Sequence, residues 1–132
     1  MLNLRSLIVV PCLLASPVLA EGAVQTWSCQ STRSCTADGT CVSDGQSVAF
    51  QLAPVDVQSD ATGTYRITYE AVDTELTWLT YNGPLIWYPA QEEQDLLLFS
   101  GAENLIWQRL TLGPDGELSG STTLFLTCDP PS

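Results

Sequence analysis

The sequence contains no His and no Lys, and its 132 residues include only four Arg against fifteen Asp and Glu. Without His, the chain cannot use Ser-His-Asp or Cys-His catalysis or an imidazole metal site. Without Lys, it cannot form a Schiff base, a Ser-Lys dyad or a P-loop contact. The formal net charge of −11 also argues against nucleic-acid binding, which needs basic side chains against phosphates. The sequence therefore predicts no cofactor and no nucleic-acid partner.

The composition that remains is that of a folded domain. Hydrophobic residues make up 45% of the chain, which is ordinary for a protein that buries a core. The length fits one small domain, and no linker or internal repeat divides it.

The first twenty residues resemble a secretory signal peptide. Arg5 is their only charge, an apolar run follows it, and Ala20 fits the small-residue rule for cleavage. An uncleaved membrane anchor is the alternative, but a stretch of about fourteen apolar residues is short of the ~20 that a spanning helix needs. We therefore predict a signal peptide at 1–20, a mature domain at 21–132 without a membrane span, and a periplasmic or secreted location.

The cysteines fit the same interpretation. Cys12 would leave with the signal peptide, and an even set of four remains, which in an exported domain predicts two disulfides. Of the three possible connectivities we favour Cys29–Cys128 and Cys35–Cys41, because the latter pair encloses an Asp-Gly turn and the former lies near the two ends of the mature chain. A metal-thiolate site is disfavoured, since the spacings do not match zinc motifs and no His completes the shell.

Hydrophobic residues alternate with period two for most of the chain after Cys41, which predicts half-buried strands. The predicted strands lie at 24–29, around 48–52, and at 63–70, 76–81, 85–88, 95–100, 105–112 and 118–128. The turns predicted between them lie at 60–63, 72–74, 82–84 and 113–116. Residues 90–99 could start with a helical turn, but their apolar half resembles a strand. We predict an all-β fold, either a small antiparallel up-and-down barrel or a sandwich of about eight short strands, held by two disulfides.

One local cluster combines aromatic rings with carboxylates, and its members are our candidate binding residues: Trp87, Tyr88, Glu92, Glu93 and Asp95. Rings beside carboxylates are typical of sugar sites, and two carboxyl groups at a fixed separation can hydrolyse a glycoside. The alternative places Trp87 in the core and the acids in a solvated connection. Adjacent residues of a strand point to opposite faces, so Glu92 and Glu93 cannot both face one bond if the segment is extended.

Other residue groups suggest sites less strongly. Asp38 and Asp44 each precede a Gly near Cys41 and could offer oxygens to calcium, but the calcium-loop motif is absent and Asp-Gly is a common turn. The aromatic residues Trp27, Tyr65, Trp78 and Trp107 could line a ligand pocket or fill the core. Arg66 and Arg109 are expected to form structural ion pairs, and we predict no metal site.

The segment Ser100-Gly-Ala-Glu-Asn104 carries a resemblance to a known family. An exported domain of this size, with about eight strands and cysteines near both ends, resembles the small periplasmic β-barrels typified by bacterial inhibitors of C-type lysozyme. Those inhibitors carry a Ser-Gly-rich segment that ends in a basic residue and Tyr. Here Glu103 and Asn104 stand at those positions, so the resemblance implies the fold and carries no inhibitory residue over.

These observations predict an exported β-domain without catalytic activity that binds a partner or serves in the cell envelope. An acidic surface attracts basic proteins, so an inhibitor of a basic partner such as lysozyme is one form of this function, and acidity also promotes solubility. Two alternatives stay open. One is a carboxylate-based glycoside hydrolase around Glu92, Glu93 and Asp95, and the other is a carrier of a small apolar ligand. The expected partner is a basic protein or a carbohydrate.

Overall fold

The computed structural model of the protein describes residues 22–132, and the predicted signal peptide and its cleavage site lie outside the described residues. No residue in this range is helical. A search of the same range for helices that are long and apolar enough to cross a membrane finds none.

Nine strands form one antiparallel sheet. They are β1 (Gln25–Thr36), β2 (Cys41–Val42), β3 (Ser47–Val57), β4 (Gly63–Tyr69), β5 (Val72–Trp78), β6 (Leu85–Trp87), β7 (Glu93–Phe99), β8 (Asn104–Leu112) and β9 (Leu118–Cys128). From β3 to β9 each strand pairs with the next, and β1 pairs with both β3 and β9. The sheet thus closes on itself as an eight-stranded barrel, with the short β2 added along the end of β1. The all-β prediction is confirmed, and closure decides for the barrel over the sandwich.

Alternation along the strands fills the barrel with side chains. In β4, for example, Tyr65, Ile67 and Tyr69 are buried while Arg66 and Thr68 between them are exposed. The same pattern repeats around the wall, because successive side chains of a strand point to opposite faces. The buried apolar set is Cys29, Phe50, Leu52, Tyr65, Ile67, Tyr69, Leu76, Trp78, Leu85, Trp87, Leu97, Leu105, Trp107, Leu124, Leu126 and Cys128. The interior is a packed core, as is usual for a barrel of this size.

Both predicted disulfides are present. Cys29–Cys128 joins directly opposed residues of β1 and β9 at the seam where the barrel closes, across 99 residues of sequence. Cys35–Cys41 joins β1 to β2 across six residues. The first bond therefore fastens the two terminal strands to each other, and the second closes one local turn.

Several sequence-based boundaries are wrong; β3, for example, continues to Val57, and β7 begins at Glu93 rather than at Asp95. Residues 72–74 were predicted as a turn, yet β5 begins at Val72 and the turn is formed by Glu70 and Ala71, with Glu70 at a φ of 48°. Residues 79–81 were predicted as the end of a strand but lie in the connection after β5, which ends at Trp78. Strand β1 continues beyond its predicted end as far as Thr36. In β5, tertiary pairing with β4 overrides the turn preference of Asp73, whose carboxylate accepts two hydrogen bonds from Arg66.

Strand direction sorts the connections into two ends. Because successive strands run in opposite directions, residues 37–46, 70–71, 88–92 and 113–117 all lie at one end of the barrel. Residues 58–62, 79–84 and 100–103 lie at the other end, together with the first and last described residues. The two ends differ in chemistry, and the candidate sites lie there.

Candidate functional site

A carboxylate lies in the interior of the barrel. Asp95 is on the inward face of β7, two residues before the buried Leu97, and only 1% of it is exposed. Its Oδ2 accepts a hydrogen bond from the Tyr69 hydroxyl at 2.9 Å and one from Trp107 Nε1 at 3.1 Å. Burying a carboxylate is unfavourable unless its oxygens find donors, and these two side chains supply them.

The hydrogen bonds extend further into the core. Trp87 Nε1 donates to the Tyr69 oxygen at 3.1 Å, so Trp87, Tyr69 and Asp95 form a chain of donors that ends on the carboxylate. Burial raises the pKa of Asp95, while the hydrogen bond from Tyr69, the charge of Arg109 and the hydrogen bond from Trp107 act to lower it. Burial also raises the pKa of the Tyr69 hydroxyl, so that group stays protonated as the donor.

Arg109 lies between this chain and the solvent. It is directly opposite Asp95 in the pairing of β7 with β8, and its Nε is 3.9 Å from Asp95 Oδ2. Its guanidinium carbon lies 4.8 Å from the ring centroid of Trp107. The predicted ion-pair role of Arg109 thus has a geometric basis, with a cation–π contact added to the long carboxylate contact.

A polar pocket opens above Arg109 at the end of the barrel. Its volume is about 470 Å³, and its charged lining residues are Asp44, Glu93, Asp95 and Arg109, with hydroxyl groups from Ser34, Ser121 and Thr122 among the others. Asp44 Oδ1 is buried there and has no hydrogen-bond partner. Asp44 therefore brings to the pocket a carboxylate of which one oxygen is satisfied by no donor of the protein.

Every connection at this end of the barrel contains at least one carboxylate. We call this end the acidic end and define it by residues 37–46, 70–71, 88–92 and 113–117, which contain six acids and no Arg or Lys. The six are Asp38, Asp44, Glu70, Glu92, Asp115 and Glu117. Glu93, the first residue of β7, adds a seventh beside the pocket. The connections at the opposite end, with residues 129–132, contain three acids: Asp60, Glu103 and Asp129.

The structure separates the five candidate binding residues of the sequence analysis. Trp87 is 1% exposed and belongs to the core, whereas Tyr88 is 57% exposed beside it in the chain. Glu93 and Asp95 share the inward face of β7 and line the polar pocket, and Glu92 precedes the strand in an exposed connection. Trp87 is not available to stack on a sugar near these acids.

Asp38 and Asp44, considered above as calcium ligands, lie in different settings. Asp38 Oδ1 accepts hydrogen bonds from the Thr36 hydroxyl at 2.6 Å and from the Thr40 amide at 3.0 Å, and the first of these is the main cause of its lowered pKa. Asp38 therefore organises the turn between Cys35 and Cys41. Asp44 faces the polar pocket instead. Across residues 22–132, no group of three or more His, Cys, Asp or Glu side chains is arranged to hold a metal ion.

The opposite end carries a second pocket of different character. We call it the aromatic mouth; its volume is about 430 Å³, and its lining consists of Trp27, Trp78, Tyr81, Phe99, Asn82, Ala61, Gly101 and Ala102. Phe99 contacts both indoles, with ring centroids 5.6 Å from Trp27 and 5.5 Å from Trp78. Of the four aromatic residues considered above for a ligand pocket, Trp27 and Trp78 line this mouth, while Tyr65 and Trp107 are buried in the core.

Sequence reasoning missed the partnership of Tyr69 with Asp95 and the pocket residue Arg109. A signal was present for each residue alone, because Tyr69 alternates with buried residues of β4, and Asp95 and Arg109 each stand two residues from a buried apolar residue of the same strand. Their proximity follows from the closure of the sheet, which one sequence does not encode in its local pattern.

Comparison of the chain with protein-family models, with curated proteins and with solved structures finds no match in any of the three. The site therefore has to be interpreted from its own geometry. The two disulfides are consistent with an oxidising compartment.

Proposed function

We propose that this chain is an exported binding protein without catalytic activity, and that its acidic end receives a basic protein partner. The observation that carries the proposal is the concentration of carboxylates at the acidic end, where each of the four connections contains at least one, together with a pocket lined by Asp44 and Glu93. The concentration of charge accounts for attraction, and the pocket accounts for a specific contact.

Attraction follows from the charge distribution. Carboxylates on separate loops produce a field that reaches beyond single contacts and raises the rate at which a positively charged surface is captured. Charged and polar complementarity of this kind sets specificity and association rate more than affinity. A partner that presents Lys or Arg to the acidic end therefore associates faster than a neutral protein.

The polar pocket offers a place for one cationic side chain. Asp44 and Glu93 line it, so an ammonium or guanidinium group from the partner would donate hydrogen bonds to carboxylates that are already positioned. Arg109 does not compete for this place, because its guanidinium lies over Trp107 and near Asp95. Insertion of one Lys or Arg would convert a general attraction into a defined complex.

The interior of the barrel favours binding at its ends over carriage of a ligand inside. Phe50 and Leu85 are fully buried, and Phe50 meets the rings of Tyr69, Trp87 and Trp107 edge to face. Side chains thus occupy the space that a carrier would keep for an apolar ligand.

Glycoside hydrolysis is the second candidate, because Glu93 and Asp95 line one pocket and burial raises the pKa of Asp95, as it does for a general acid. However, Asp95 Oδ2 accepts from two buried donors, Tyr69 and Trp107, which hold the carboxylate in place as a structural acceptor. The candidate is tested by turnover of peptidoglycan and chitin oligosaccharides, where activity that Glu93→Gln abolishes would support it.

The proposed function is tested by titration calorimetry with a C-type lysozyme as the basic probe and a neutral protein of similar size as the control. Screening lengths fall from ~30 Å at 0.01 M salt to ~8 Å at 0.15 M, so binding should weaken steeply across that range. The double variant Asp115→Asn/Glu117→Gln at the acidic end should raise Kd by about tenfold at low salt.

The matched control is Glu103→Gln/Asp129→Asn, which removes two charges at the opposite end. It should raise Kd by less than about threefold, since these residues contribute only to the long-range field. Equal losses in the two variants would show that net charge alone drives binding, and no binding at low salt would contradict the proposal.

A further inference from the structure

We infer that the aromatic mouth is a binding site for a quaternary or alkylated ammonium group. The mouth is separate from the acidic end and from the proposed partner site, since its loops belong to the opposite end of the barrel. Its volume of about 430 Å³ lies in the range of ~300–1,000 Å³ that is usual for small-molecule sites.

The first argument is the supply of aromatic rings. Trp27, Phe99 and Trp78 form a continuous wall, and Tyr81, which is 73% exposed, stands at the rim. Ring faces carry negative partial charge and attract cations, with Trp the strongest of the three types. Groups of rings around one pocket are the arrangement that proteins use to recognise quaternary ammonium ligands.

The second argument is charge. Asp60 and Glu103 lie in the connections that also supply the lining residues Ala61 and Ala102, and Asp129 follows β9 at the same end. Of the three Arg among residues 22–132, none lies in a connection at this end. Burial, and after it the negative charge of Asp60, raises the pKa of the Tyr65 hydroxyl, whose ring lies 5.5 Å from that of Trp78. A cation is therefore favoured over an anion.

The third argument distinguishes an alkylated ammonium from a Lys side chain. No residue that lines the mouth is charged, and Asn82 is the only one with a polar side chain apart from the Trp and Tyr groups. A primary ammonium would lose hydrogen bonds to water on entering this lining, whereas a trimethylammonium group has none to lose. Asp60, Glu103 and Asp129 lie at the same end of the barrel and favour its charge.

The loop that supports Tyr81 is ordered by its own hydrogen bonds. Trp78 Nε1 donates to the Thr80 carbonyl at 2.7 Å, the Gly83 amide donates to the same carbonyl at 2.8 Å, and the Thr80 hydroxyl donates to the Gly83 carbonyl at 2.6 Å. A pre-ordered loop lowers the entropic cost of binding a small ligand. The mouth therefore needs no rearrangement to accept one.

The test uses the four Trp indole N–H signals in a proton–nitrogen correlation spectrum of the mature protein, assigned with Trp→Phe variants. Choline is the probe, and 3,3-dimethyl-1-butanol is its uncharged isostere. Choline should shift the signals of Trp27 and Trp78 in a saturable manner, and leave those of Trp87 and Trp107, which lie in the hydrogen-bonded core, unchanged.

The isostere should bind about tenfold more weakly, the order expected for cation–π contacts. Tyr81→Ala should weaken choline binding severalfold, and the matched control Tyr88→Ala, an exposed Tyr at the acidic end, should leave it unchanged. Equal binding of the isostere would show a merely apolar pocket and overturn the inference. It would also be overturned if choline shifted none of the four signals, or only those of Trp87 and Trp107.

Discussion

Tyr69 and Asp95 are 26 residues apart in the sequence and share a hydrogen bond of 2.9 Å inside the barrel. The bond joins β4 to β7, which are not neighbours in the sheet, so it crosses the interior. Trp87 and Trp107 donate to the two oxygens of this pair. A polar connection of this kind, formed by side chains of four strands, stabilises one arrangement of the core over slipped alternatives.

Replacement of Asp95 tests the role of this acceptor in stability. Asp95→Ala removes the acceptor and leaves two buried donors unpaired, so the free energy of unfolding should fall by about 2–4 kcal/mol. Asp95→Asn keeps an oxygen acceptor at nearly the same place and should lie within about 1.5 kcal/mol of the wild type at neutral pH. Urea unfolding measures both, and a wild-type stability for Asp95→Ala would contradict this account of the core.

The raised pKa of Asp95 has a defined consequence for stability against pH. Between the ordinary pKa of an Asp and the raised value, the folded state binds more protons than the unfolded state, so this contribution to stability is fully present below the ordinary pKa and is lost as pH rises through the raised one. The difference in unfolding free energy between wild type and Asp95→Asn isolates this contribution, because Asp38 and Asp60, whose pKa values are lowered, are present in both proteins. Relative to the variant, the wild type should lose stability as the pH rises from the ordinary pKa of an Asp, 3.8, through the raised one. A relative gain would contradict the prediction.

The two disulfides should contribute unequally. On the chain-entropy model, closing the loop of 99 residues between Cys29 and Cys128 stabilises the fold by about 4–5 kcal/mol. The same model assigns about 2 kcal/mol to the loop of six between Cys35 and Cys41. Paired Cys→Ala variants, compared by urea unfolding, should therefore differ by about 2–3 kcal/mol. Equal losses of unfolding free energy in the two variants would show that the closure of the barrel does not depend on the Cys29–Cys128 bond.

Gly63 begins β4 where the chain passes close to β3. Its φ is +130°, and a Cβ at this position would collide with the carbonyl oxygen of Asp56. Gly63→Ala should therefore destabilise the protein by about 2–3 kcal/mol, since backbone atoms cannot move aside cheaply. Gly116→Ala is the control, because Gly116 also has positive φ but faces open space, and it should cost about 1 kcal/mol. Thermal unfolding of the two variants measures the difference between their losses of stability. Equal losses would contradict the collision of a Cβ at Gly63 with the backbone of β3.

The strands could be predicted from the sequence because their determinants are local, whereas the choice between a barrel and a sandwich depended on the pairing of β1 with β9. Period-two alternation in runs such as Tyr65, Ile67 and Tyr69 identifies inward faces, and turn residues such as Gly113 to Gly116 separate the strands. The connectivity of Cys29 with Cys128 followed from their positions near the ends of the mature chain. The exceptions were places where pairing overrides a local preference, as where Asp73 lies in β5 and bonds to Arg66.

The candidate site was predictable only in part. Glu93 and Asp95 could be singled out by their chemistry, but their separation from Trp87 and Tyr88 depends on which face of the wall each residue occupies. Asp44, from the connection before β3, and Arg109 of β8 both line the polar pocket. They lie at the same pocket only because the sheet closes. Residues brought together by closure share no spacing that a single sequence could reveal.

The acidic end as the partner site is the central claim, and its most direct measurement is amide hydrogen exchange of the barrel, free and saturated with a C-type lysozyme at low salt. We predict added protection in residues 37–46, 88–92 and 113–117, with little change in 79–84 and 100–103. Protection confined to the residues of the aromatic mouth, or none in the connections of the acidic end, would contradict the account.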